Sequence, residues 1–112
     1  MKVKRLSEAK TYEAPNHRLY SSLRLIGPED GASKFVVGLS YFLPGGGAGP
    51  DASPTEKVYT VLSGELTVIV GGRETVLKAN DSCFLGANEE REIINRGNEV
   101  VTMLVAVSAP PK

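Results

Sequence analysis

The chain has 112 residues, of which 41% are hydrophobic, 23% charged and 6% aromatic, and its 13 basic and 13 acidic side chains leave a formal net charge of zero. That length makes one domain able to build a core without disulfide staples, and the charge balance argues against a nucleic-acid footprint, which needs excess Lys and Arg on one face. A single cysteine, Cys83, excludes a disulfide framework and a cysteine-based zinc finger and fits a reducing cytoplasm. The N-terminal MKVKRLSEAK lacks the apolar stretch of a secretory signal. The longest apolar run, Val100 to Val107, is too short to span a bilayer. A soluble cytoplasmic protein is expected.

In chain order, residues 1–15 read as a polar lead-in and 16–112 as the folded domain. From His17 to Ile26, Leu19, Leu23 and Leu25 fall on one strand face. From Lys34 to Phe42, Phe35, Val37, Leu39 and Tyr41 alternate with Val36 and Phe42. Gly45 to Pro50 reads as a loop. Strands follow at Lys57–Ser63, Leu66–Val70 and Glu74–Leu77, the last two joined by Gly71-Gly72, a strong two-residue hairpin signal because both turn positions need positive φ. Ser82–Leu85, Arg91–Asn95 and Val100–Ser108 complete the set. Short alternating strands without a convincing helix predict an all-β antiparallel sandwich or barrel. The last strand is apolar on both faces, so a partner subunit is expected to cover the outer one and make a homodimer.

The segment Gly45 to Asn95 resembles the cupin family. That family's first motif runs glycine, five residues, His-x-His, three or four residues, Glu, six residues, glycine, and here it falls on Gly45 to Gly64. Asp51 and Ser53 stand at the two histidine positions and Lys57 at the glutamate. The second motif falls on Asn80 to Asn95, with Gly86 at its proline and Arg91 at its histidine. The resemblance implies an antiparallel jelly-roll β-barrel. It also implies that Asp51, Ser53, Lys57 and Arg91 converge inside the barrel, where the family's metal would sit. Two of those four are cations that would repel a divalent ion, so no metal and no cofactor are expected.

Charge left over after Asp51 offsets one cation predicts an anionic small-molecule ligand, most simply a carboxylate. Arg91 offers that group a bidentate fork. Lys57, desolvated beside Arg91, is expected to have a lowered pKa suited to a general base or amine nucleophile, held and tuned by Asp51. Ser53, Tyr41 and Tyr59 are expected to line the site and bind substrate. The sole histidine, His17, lies far from the motifs in sequence and reads as surface or strand edge, and Asn95 reads as fixing a turn.

Three readings follow: a metal-independent lyase, decarboxylase or isomerase, a non-catalytic binding or sensor module with the same pocket, or a structural protein whose barrel is filled by an Asp51–Lys57–Arg91 ion-pair network. The fold alone does not choose between them.

Overall fold

The alternating apolar positions become nine antiparallel strands in a computed structural model that describes residues 1–110, so the last two positions of the expected domain lie outside it. In chain order the strands are β1 (Lys10–Tyr12), β2 (His17–Ile26), β3 (Phe35–Asp51), β4 (Lys57–Ser63), β5 (Leu66–Val70), β6 (Arg73–Leu77), β7 (Ser82–Leu85), β8 (Arg91–Ile94) and β9 (Val101–Ser108). They pair in the order β6-β5-β8-β3-β9-β4-β7, with β2 beside β3 and β1 beside β2. The result is a nearly closed all-β barrel that fits a jelly roll. Among the described residues no helix is long and apolar enough to cross a membrane.

Strand β3 is the organising element. Its first half, Phe35 to Phe42, pairs with β9, and its second half, Gly47 to Asp51, pairs with β8. One continuous strand thus serves both halves of the barrel. The stretch Gly45–Pro50 is therefore strand, where the sequence reads as a loop. The reason is steric: a Cβ on Gly47 would sit 2.0 Å from the Ile93 carbonyl oxygen and one on Gly46 2.4 Å from that of Leu19. Glycine here permits close backbone approach, not a flexible turn.

The inner face holds Phe42, Tyr59, Val61, Leu66, Ile93 and Met103, all at most 2% exposed, and burial of these side chains supplies the main stabilising term. The Gly71-Gly72 hairpin forms as expected, both residues at positive φ, with Val70 opposite Arg73. Asn95 fixes a turn, donating to the carbonyls of Phe42 (3.0 Å) and Glu99 (2.8 Å) and accepting from the Gly97 amide (3.0 Å).

One expectation on the flanking strands fails. The register shifts between Arg18 and Tyr20, and Leu19 stands at φ +48° and 55% exposed, so a bulge removes it from the face shared by Leu23 and Leu25. Within the lead-in, Lys10–Tyr12 pairs with β2, and Lys4 donates to Asp30 at 2.6 Å.

Candidate functional site

Residues from three parts of the chain meet at one mouth of the barrel, around a pocket of about 190 Å³. Asp51 ends β3 and lies directly across from Arg91, the first residue of β8. Lys57 opens β4 on the face that continues through buried Tyr59 and Val61. The three therefore approach one another because three strands begin or end at the same rim.

Arg91 is only 7% exposed. Its Nε donates to the Tyr59 hydroxyl at 2.8 Å, while its buried Nη1 has no partner. A buried guanidinium nitrogen without an acceptor is costly, and such a group is poised to receive an anion or a carbonyl or hydroxyl oxygen. Burial pushes the Tyr59 phenol above its ordinary value, with the Arg91 charge opposing it, so the phenol stays protonated at neutral pH.

Lys57 is half-buried, and its Nζ donates to Ser53 Oγ, which also exchanges a hydrogen bond with Thr55 Oγ1 at 2.8 Å. Burial lowers the Lys57 pKa, the Arg91 charge lowers it further, and Asp51 opposes both. Asp51 is exposed, and its Oδ1 accepts only the amide of Ala52, at 2.8 Å. No ion pair joins Asp51, Lys57 and Arg91 among the described residues. The alternative reading of a barrel filled by an ion-pair network is thus not met: Lys57 hydrogen-bonds a serine, Arg91 a tyrosine, and Asp51 the amide of the next residue. Ser53 also lies beyond β3, in the connection to β4, where the expectation placed it on the strand face of Asp51.

Tyr41 does not join the site. It pairs with Ser21 and Thr102, one residue out of phase with buried Ser40, Phe42, Val101 and Met103, so strand alternation turns it to the outer face. His17, by contrast, does join. Strand β2 runs beside the second half of β3, His17 opposite Ala48, and this brings the imidazole to the pocket wall with Pro15. Its ring stacks on Phe42 at a centroid distance of 6.2 Å and tilts against Tyr20 at 5.0 Å. Nδ1 lies 2.7 Å from the Pro15 carbonyl, which can only accept, so Nδ1 carries the proton and Nε2 is the free base. No signal in the sequence links His17 to residues 51–91. The connection comes from strand pairing alone.

Burial is the main cause lowering the His17 pKa from its ordinary 6.5, followed by the opposing Pro15 hydrogen bond and then the Arg91 charge. Between the lowered folded value and 6.5 the unfolded chain binds more protons, so stability falls as pH falls through that window. His17→Gln is therefore expected to lose less stability between pH 7.5 and pH 5 than the wild type. Urea denaturation at the two pH values checks this, and equal losses would remove His17 as the source.

Among the described residues no three His, Cys, Asp or Glu side chains gather as a metal cluster. The pocket sets one carboxylate and one imidazole against an ammonium and a guanidinium. That donor set does not fit a divalent cation.

The family model described as Cupin domain matches residues 38–107. Beta-D-galactosidase Rv1717 of Mycobacterium tuberculosis is 47% identical over 111 residues, covering 98% of this chain and 96% of that protein. Among solved structures, the polyketide cyclase RemF from Streptomyces resistomycificus superposes with a TM-score of 0.86 at 21% identity, over 96% of this chain and 79% of that one. A predicted oxalate decarboxylase from Thermotoga maritima gives 0.81 at 25% identity, over 96% and 98%. A sugar phosphate isomerase from Silicibacter pomeroyi gives 0.79 at 24%, over 99% and 77%.

Proposed function

The chain belongs to the cupin family, and from that premise we propose that it is a metal-independent glycoside hydrolase acting on a small β-D-galactoside at the pocket between Asp51, Lys57 and Arg91. The observation that carries this reading is the 47% identity, over nearly the whole of both chains, to a protein named for β-D-galactosidase activity. The pocket supports it. Its volume of about 190 Å³ lies below the roughly 300–1,000 Å³ of sites for drug-sized ligands, and suits a single sugar ring. Beside Pro15 and Ala52, its walls carry hydroxyl, ammonium, guanidinium, imidazole and carboxylate groups.

Glycoside hydrolysis needs a proton for the departing oxygen and a carboxylate for the opposite face of the ring. Asp51 is the single carboxylate on the pocket wall. It takes a proton from a water as that water attacks the anomeric carbon, the glycosidic C–O bond breaks, and the departing alkoxide oxygen takes a proton from the Lys57 ammonium. Asp51 then returns its proton through solvent as Lys57 is reprotonated. A lowered Lys57 pKa makes that ammonium a better acid near neutral pH. Arg91 and Ser53 hold ring hydroxyls, and His17 Nε2 accepts from one. Purified protein is expected to hydrolyse 4-nitrophenyl β-D-galactoside at a rate unchanged by a chelator. Absence of turnover sinks the hydrolase, and loss of turnover in chelator sinks metal independence.

A second reading is favoured by the unpartnered Arg91 Nη1: a carboxylate-bearing ligand bound there, with Lys57 moving a proton in lyase, decarboxylase or isomerase chemistry, or with no chemistry in a sensor. Thermal-shift screening of small carboxylic and sugar acids separates it from the first. The half-buried free thiol of Cys83 suits the reducing cytoplasm.

We extend the proposal to assembly as a homodimer. Phe84 and Phe35 are 60% and 51% exposed on the outer face, where Val58 pairs with Phe84 and with Ala106. Lys34 and Glu56 flank the same groove. Opposite charges on one patch are self-complementary across a two-fold axis. Sedimentation is expected to give a dimer for the wild type and a folded monomer for Phe84→Asp, and a wild-type monomer at tens of micromolar refutes it.

A further inference from the structure

Strands β6 and β7 end the pairing order, so the barrel is open between them. The gap lies beside inward-facing side chains of β5, β6 and β7. It forms a cleft of about 490 Å³, more than twice the volume of the polar pocket. Its walls include Val68, Val70, Leu77, Cys83 and Leu85, of which Val68, Leu77 and Leu85 are core residues and the other two pack against the core, with Thr75 and Phe84 beside them. Arg73 and Glu89 stand at the rim. Glu89 is engaged, accepting the Gly86 amide at 3.0 Å. The Arg73 guanidinium has no hydrogen bond or ion pair among the described residues.

We propose that this cleft is a second ligand site, for an amphipathic anion whose aryl or alkyl body fills the Val70–Leu77–Leu85 walls and whose carboxylate or sulfonate meets Arg73. Three features argue for a small molecule. The volume falls in the range of small-molecule sites, apolar side chains line much of the walls, and Arg73, without a partner among the described residues, stands at the rim to orient the ligand. The cleft is separate from the polar pocket. Buried Tyr59 lines neither cavity, but it faces Cys83 across the β4–β7 ladder and holds Arg91 through its hydroxyl. A ligand in the cleft thus reaches the wall behind Tyr59 without entering the sugar-sized pocket, and the proposal does not depend on the reaction assigned there.

Cys83, the sole cysteine, reports on the cleft directly. The probe is 1-anilinonaphthalene-8-sulfonate, an apolar ring system carrying a sulfonate. It is expected to bind with one-to-one, saturable fluorescence. At ten times its Kd it is expected to slow alkylation of Cys83 by iodoacetamide at pH 9 about tenfold, as mass action requires of a competing occupant. Arg73→Glu, an exposed substitution, is expected to weaken binding about fivefold, the size of a lost exposed charge contact. Val70→Trp, which fills the cleft, is expected to abolish it. No saturable binding, unaltered Cys83 alkylation at saturation, or equal affinity in Arg73→Glu would each overturn the proposal, and the last two do not require the tryptophan variant to fold.

Discussion

Asp51→Asn is expected to lower kcat on 4-nitrophenyl β-D-galactoside by two to four orders of magnitude while leaving the melting temperature within about 1–2 °C of the wild type. The rate effect follows from chemistry: an amide neither takes a proton from water nor stabilises positive charge at the anomeric carbon, and a positioned acid or base contributes about 10²–10⁴. The small stability effect follows from the structure. Asp51 is exposed, takes part in no ion pair among the described residues, and accepts only the Ala52 amide, an acceptor role that asparagine retains. A variant with kcat within about threefold of the wild type would remove Asp51 from the reaction. A large drop in melting temperature would instead make it a structural residue.

Gly47→Ala is expected to unfold the protein or destabilise it by about 3 kcal/mol or more, beyond the usual 1–3 kcal/mol cost of overpacking. The new Cβ would lie 2.0 Å from the Ile93 carbonyl oxygen and 3.0 Å from Ile94 Cα. Those are backbone atoms of β8, paired with β3 on one side and β5 on the other, so they cannot yield as the tip of a side chain would. Pushing β8 away also moves Arg91, whose position across from Asp51 depends on that pairing. A loss of about 3 kcal/mol corresponds to a fall of roughly 10–20 °C in a domain of this size. Thermal denaturation checks it, and a fall of less than about 3 °C would show that the two strands separate easily at this point.

Much of this protein is legible without coordinates. Strands Lys57–Ser63, Leu66–Val70 and Ser82–Leu85 sit where alternation puts them, because a half-buried strand must send every second side chain inward. The Gly71-Gly72 turn forms because few other residues adopt two successive positive φ angles. Motif spacing matches the cupin family, and Asp51, Lys57 and Arg91 line one pocket because Asp51 ends β3 while Arg91 and Lys57 open β8 and β4. Three things were decided only by the tertiary structure. Gly45–Pro50 is strand rather than loop because a neighbouring backbone occupies the space of a side chain, and local composition does not record that neighbour. Tyr41 faces outward because burial of Phe42 fixes the phase of β3, whereas alternation alone leaves both phases open. His17 enters the pocket, and Lys57 rests on Ser53 rather than Asp51, because long-range pairing and local hydrogen-bond reach set those contacts. Periodicity carries information along a strand. Which strand lies alongside it, and which polar atom is near enough to share a proton, depends on residues distant in the chain.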